Sequence, residues 1–126
     1  MAPIKVGDVL PNIDLFEGSP DKKVNLVEEC KTGKHIVFGV PGAFTPGCSI
    51  THLPGYVSKA DELKSKGVQN IFCISVNDPF VLDAWEKSQN ATGKVRILAD
   101  PCGDLTKAMD LQLDNDHLAE VLGPVR

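Results

Sequence analysis

A chain of 126 residues has the size of one domain with one hydrophobic core, and 42% hydrophobic with 24% charged residues is ordinary globular usage, which excludes disorder, collagen-like repeats and a membrane-spanning protein. The formal net charge of -4 leaves no cationic surplus for a phosphate backbone, so nucleic acid is excluded as a partner. No apolar run reaches bilayer length, and the opening "MAPIKVGDVL" lacks the basic and apolar regions of a secretory signal. The reading is a cytoplasmic protein with no membrane partner, and mitochondrial or peroxisomal pools are compatible with it.

Ile13, Leu15 and Phe16, ahead of Gly18 and the turn-rich "GSPDKK", mark a first strand, and Val24 to Leu26 a second short extended piece. "LVEECK", Leu26 to Lys31, makes a helical turn or two that stops near Gly33, where a left-handed residue is tolerated. "HIVFGV", His35 to Val40, is a continuous apolar run of strand length, the pattern of a strand buried on both faces and central in its sheet. Between Thr51 and Lys66, Leu53, Val57, Ala60 and Leu63 recur at helical spacing, with Lys59, Asp61, Glu62 and Lys64 on the other face. That spacing predicts an amphipathic helix closed by Gly67 and kinked near Pro54. "IFCISV", Ile71 to Val76, is a second buried strand, "DPFVLDAWEKSQ" a helix with Asp78 as N-cap and Pro79 in its first position, and "VRILAD" a third strand. Beyond Asp100 the pattern predicts a short helix over Leu105 to Met109 and an ambiguous segment over Leu118 to Leu122. The succession of strand, helix, strand, helix and strand predicts an α/β fold with parallel strands joined by right-handed crossovers, in one domain over residues 1–126.

The four cysteines, Cys30, Cys48, Cys73 and Cys102, have no C-x-x-C and no short even spacing, so they are not a disulfide framework and the chemistry turns on which thiol is placed to react. In an open α/β sheet, ligands bind at the carboxyl ends of strands, where loops enter the next helix. His35 to Val40 ends in "PGAFTPGCS", whose Pro41, Gly42, Pro46 and Gly47 constrain the backbone and let it approach a ligand closely. Cys48 falls in the first turn of the helix that follows. Unpaired N–H groups and the positive end of the helix dipole favour the thiolate there. Thr45 lies three residues earlier, one turn away, with its hydroxyl in reach of that thiolate. Thr-x-x-Cys in place of Cys-x-x-Cys leaves no local dithiol, so the loop suits formation of a sulfenic acid rather than disulfide exchange.

A cysteine in apolar surroundings is otherwise a small buried hydrophobe, and that reading suits Cys73, mid-strand in "IFCISV". Cys30 and Cys102 fall near element ends, where an adventitious disulfide is open to them but no resolving role is assigned. His52, four residues after Cys48, shares its helix face and would permit a Cys–His pair or half a metal site. With no orienting Asn or Asp apparent and no second ligand pair at metal spacing, a surface or hydrogen-bonded structural histidine is the reading. His35 and His117 carry less signal, and Trp85 reads as a core or interface aromatic. No metal, flavin or nucleotide cofactor is implied.

"PGAFTPGC" contains the element P-x-x-x-T-x-x-C, and the surrounding "FGVPGAFTPGCSITHLPGY" resembles the peroxiredoxin-5, atypical two-cysteine, subfamily of the peroxiredoxins. "MAPIKVGD", "LKSKGVQ", "SVNDPFV", "GKVRILADP" and the Leu-rich stretch after Asp110 extend the resemblance over essentially the whole chain. It implies a thioredoxin-like fold, a central mixed sheet flanked by helices. It implies thiol-dependent reduction of hydrogen peroxide and organic hydroperoxides through a cysteine sulfenic acid, in antioxidant defence and redox signalling, with thioredoxin as the reductant. A homodimer is compatible with it. By the same resemblance Cys48 is the peroxidatic cysteine, Thr45 the hydroxyl that orients peroxide, Pro41 the ring that shields the thiolate, and the N–H groups of Gly47 and Cys48 the donors that hold the peroxide oxygens. The family's pattern continues past the position of Arg126 into a terminal strand pair and helix carrying an active-site arginine and the resolving cysteine. Neither is found in this chain, and Arg126 is not given that role. A fixed guanidinium stabilises the thiolate and the charge on the departing oxygen, so the alternative is a truncated, weakly active or inactive thioredoxin-like module for redox sensing or binding.

Overall fold

The computed structural model describes residues 5–40, 42–44 and 47–109, with the backbone alone of Gly47, Cys48 and Ile50. Two short strands open the chain: β1, Asp14–Phe16, pairs antiparallel with β2, Lys23–Asn25, so that Leu15 faces Val24. Asn25 then changes role. Its backbone ends β2, and its side-chain oxygen accepts from the N–H groups of Val27 (2.9 Å) and Glu28 (3.4 Å), capping the single-turn helix α1, Leu26–Glu29. Gly33, at φ +84°, turns the chain into β3, Lys34–Gly39.

A six-residue π-helix, Gly47–His52, leads directly into α2, Leu53–Ser65. The amphipathic helix expected from Thr51 therefore begins at Leu53. Pro54 is its second residue, and the change from π- to α-helical winding falls one residue ahead of it. β4, Val68–Ser75, is buried from Ile71 onward and apolar from Ile71 to Ile74. α3, Pro79–Ser88, starts as the sequence predicts: Asp78 accepts from the N–H of Val81 (2.9 Å), and Pro79 occupies the first helical position. β5, Arg96–Ala99, and the short α4, Asp104–Ala108, complete the described elements. The segment Leu118 to Leu122 lies outside the described residues.

The strands form one sheet in the order β2-β1-β5-β4-β3. β3, β4 and β5 run parallel, and β1 is antiparallel to both of its neighbours, which makes the sheet mixed. Alternation along β4 and β5 sends side chains to opposite faces. Ile71, Cys73, Ile97 and Ala99 join Leu53, Ala60, Leu82 and Trp85 in one cluster beneath α2 and α3. Phe72, Ile74 and Leu98 join Leu15, Leu26 and Leu105 in the other, beside α1 and α4.

The strand expected to be central and buried on both faces takes a different place. Among the described residues β3 is the outermost strand, paired with β4, and Val37 is 37% exposed while Phe38 and Val40 are buried. An apolar run reports two apolar faces but carries no information on spatial order, which the crossovers decide. Among the described residues no helix is long and apolar enough to cross a membrane.

Candidate active site

The parallel strands β3, β4 and β5 end on one rim, and backbone bonds stitch their ends together. The Val40 N–H donates to Ile74 O (3.0 Å), carrying the β3–β4 pairing past Gly39, and the Asp100 N–H donates to Ser75 O (2.8 Å). Asp100 is 2% exposed, and its carboxylate accepts from the N–H groups of Leu105 and Thr106 and from the Thr106 hydroxyl, so the charge is held by three donors at the start of α4. Ser75, also 2% exposed, donates its hydroxyl to Asn77 Oδ1 (2.6 Å).

That same Asn77 oxygen accepts the Ala43 N–H at 2.8 Å, tying the loop after β3 to the end of β4. Gly42 and Ala43 are buried, whereas Phe44 is 56% exposed and sits at φ +61°, in the left-handed region that a bulky residue rarely enters. Such conformations persist where neighbouring bonds over-determine them, and they gather at functional loops. The chain then reaches the π-helix, whose first two residues are Gly47 and Cys48. Single π-helical turns are uncommon and are enriched at functional sites. Pro41 and Thr45 lie outside the described residues.

Ser49, next to Cys48, accepts the indole N–H of Trp85 at 3.0 Å. Trp85 is the core aromatic that the sequence suggests, with no exposed surface, and the bond gives its buried N–H a partner. His52 is exposed, and its ring lies 4.8 Å from Phe38 and 5.9 Å from Tyr56, beside a Phe38–Tyr56 stack at 4.0 Å. It is thus a surface histidine resting on aromatic rings.

The other thiols are sorted by burial. Cys73 is fully buried in β4. Cys30, half-buried at the end of α1, has its thiol pKa pushed above the ordinary value by desolvation and then by the neighbouring Glu29 charge. Cys102 is exposed in the turn before α4. Arg96, at the start of β5 and away from the rim, is occupied: its guanidinium donates to Glu17 (2.9 and 3.1 Å) and Glu29 (3.3 and 3.4 Å) and lies 5.1 Å over the Phe72 ring. These partners hold its pKa above even the usual guanidinium range, the Glu17 hydrogen bond contributing most. Among the described residues no three His, Cys, Asp or Glu side chains gather as metal ligands.

Asn77 and the Trp85–Ser49 pair are the rim features that sequence reasoning missed. One signal was available, since Asn77 follows a buried strand at the carboxyl end of the sheet, where sites in α/β folds are built. The other was the need of a buried indole N–H for a partner.

The chain matches the Redoxin family over residues 5–125. It is 48% identical over 117 residues to Peroxiredoxin-2D of Arabidopsis thaliana, an alignment covering 90% of this chain and 72% of that protein. Among solved structures it is similar to peroxiredoxin 5 from Alvinella pompejana, with a TM-score of 0.87 and 41% identity over 98% of this chain and 77% of that one. It is also similar to reduced Prx3 from Vibrio vulnificus in complex with hydrogen peroxide, with a TM-score of 0.85 and 41% identity over 97% and 75% of the two chains. These relatives do not favour the alternative of an inactive sensing or binding module. A loop entering a wound cysteine segment at the carboxyl rim of a thioredoxin-like sheet, and named peroxiredoxins alike over most of the chain, lead to one identification: the chain belongs to the redoxin family and is a peroxiredoxin, a thiol-dependent peroxidase that takes peroxides as substrates and a thioredoxin-type thiol as reductant.

Proposed function

We propose that Cys48 is the peroxidatic thiol, that Thr45 orients the peroxide, that Pro41 shields the thiolate, and that the N–H groups of Gly47 and Cys48 hold the peroxide oxygens. The observation that carries this reading is the place of Cys48 in the chain: second residue of the π-helix that follows the β3 loop, at the rim where the parallel strands end. The Cys48 thiolate attacks one oxygen of the peroxide, the O–O bond breaks, and the departing alkoxide or hydroxide takes a proton to leave as alcohol or water. The sulfur, oxidised by two electrons, becomes a sulfenic acid. A dithiol reductant then forms a mixed disulfide with release of water, and its second thiol expels Cys48 reduced.

The finer parts of the reading are hydrogen peroxide and small organic hydroperoxides as substrates, the peroxiredoxin-5 type, thioredoxin itself as reductant, pairing of two copies as a homodimer, a cytoplasmic location, and residues 1–126 as one domain. Adding one equivalent of hydrogen peroxide and mapping oxygen by peptide mass spectrometry tests the central assignment. Cys48 is expected to oxidise before Cys30, Cys73 and Cys102, and Cys48→Ser to abolish turnover. Oxidation of another thiol while Cys48 stays reduced overturns it.

A further inference from the structure

We propose that Asn77 and Trp85 are positioning residues that clamp the peroxidatic loop from both sides, a role that rests on Cys48 being the reacting thiol. Asn77 Oδ1 holds the Ala43 N–H at 2.8 Å, and Trp85 Nε1 donates to Ser49 Oγ at 3.0 Å. The segment between those two anchors, residues 44–48, contains both Thr45 and Cys48.

Both anchors belong to one unit. Asn77 lies two residues past the end of β4 and is braced by the hydroxyl of Ser75, which is 2% exposed. Trp85 lies on α3, which starts two residues after Asn77 and packs with no exposed indole surface in the core cluster that also holds Leu53 of α2. The clamp therefore references each end of the loop to the same packed framework rather than to two parts that can shift independently. Fixing Ala43 also fixes the residue just ahead of Phe44, whose φ of +61° needs such support to persist. Fixing Ser49 restrains the residue next to Cys48 within an uncommon winding. Misplacement of a reacting group by about 1 Å can cost on the order of a hundredfold in rate, so two bonds at the loop's ends bear directly on turnover.

The test uses the full chain with Ser49→Ala, Ser49→Thr, Asn77→Ala and Asn77→Asp. Thr keeps the acceptor for the indole N–H. Asp keeps an oxygen that accepts from both Ala43 and Ser75. Two quantities are read: kcat/KM for hydrogen peroxide, and the pH dependence of Cys48 alkylation followed by mass spectrometry. Ser49→Ala and Asn77→Ala are expected to lower kcat/KM about tenfold or more and to move the Cys48 alkylation profile to higher pH. Ser49→Thr should restore both quantities. Asn77→Asp should restore the limiting rate, with its profile displaced upward by the added negative charge. Wild-type kcat/KM and an unmoved Cys48 profile in both Ala variants would overturn the clamp, as would losses that Thr and Asp fail to restore. Should Asn77→Ala unfold, Ser49→Ala decides, since it removes one hydroxyl and leaves the Trp85 ring in the core. Cys48→Ser run alongside separates the two claims: turnover that survives it refutes the assignment of Cys48 itself.

Discussion

Cys30 shows how surroundings sort thiols of one chemistry. Burial, and after it the Glu29 charge, raises its pKa, so its thiolate appears at higher pH than that of an ordinary cysteine. Among Cys30, Cys73 and Cys102 in the native protein, alkylation of Cys102 is expected to lead on access alone, Cys30 to follow and to accelerate only as pH rises past the usual thiol range, and Cys73 to react after unfolding. A time course with iodoacetamide at several pH values, read by peptide mass spectrometry, checks the order; Cys30 reacting ahead of Cys102 at neutral pH would contradict it. Thr45 poses a sharper question, because the role proposed for it is chemical. Thr45→Val keeps the shape and loses the hydroxyl, so peroxide turnover is expected to fall by about tenfold or more while stability changes little. Thr45→Ser should retain much of the rate. Equal losses of rate and stability in both variants would show that the hydroxyl is not what matters. Cys48 and Thr45 were legible as candidates because a specific spacing marks them. Asn77 and Trp85 were not, since their partners lie 34 and 36 residues away and only the folded sheet brings them together.

At the scale of elements, patterns that depend on near neighbours were readable and those that depend on assembly were not. The cap and first position of α3 follow from "DP", and the two buried parallel strands β4 and β5 from short apolar runs. The place of β3 in the sheet and the π-helical entry to α2 depend on what packs where, which periodicity does not encode. α3 carries a further consequence of assembly. Glu86 is half-buried on it, and desolvation, then the charges of Glu17 and Asp83, raise its carboxyl pKa, against an opposing hydrogen bond from Thr92. The folded state thus holds this proton more tightly than the unfolded chain does. Ionised Glu86 weakens the fold at neutral pH, and that penalty disappears as pH falls through the raised folded value toward the ordinary one. Glu86→Gln is therefore expected to stabilise the protein at pH 7, with a gain that shrinks to nothing below the normal glutamate range. Urea midpoints measured from pH 3 to 8 decide it; a gain independent of pH would place the cause outside this carboxyl.

The whole molecule is tied across its layers by Arg96. From the first position of β5 its guanidinium reaches Glu17, just beyond β1, and Glu29, at the end of α1, while covering the Phe72 ring of β4. One side chain thereby joins the antiparallel edge, the single-turn helix and the parallel half of the sheet. The three charged groups are each about a third exposed, with side-chain values of 32% for Arg96, 30% for Glu17 and 35% for Glu29, so solvent screens the pairs and neither bridge alone is worth more than about 1 kcal/mol. The paired donation to Glu17 and the cation over the ring add to that, the latter by about 0.5–1 kcal/mol. Removing the guanidinium also leaves two carboxylates facing each other's field with no counter-charge. Arg96→Met, which keeps the apolar stem over Phe72, is expected to cost about 1–2 kcal/mol of stability. Arg96→Lys should recover only part of it, because a point charge cannot serve two carboxylates in the fork geometry. Arg96 stands at the opposite end of β5 from the rim where Asp100 and Ser75 meet and the Asn77 anchor holds the loop. Peroxide kcat/KM of the folded variants should therefore stay at the wild-type value. Urea unfolding and peroxide kinetics on the same preparations separate the two effects. A variant of unchanged stability and diminished turnover would mean that Arg96 serves the reacting thiol rather than the joining of the layers.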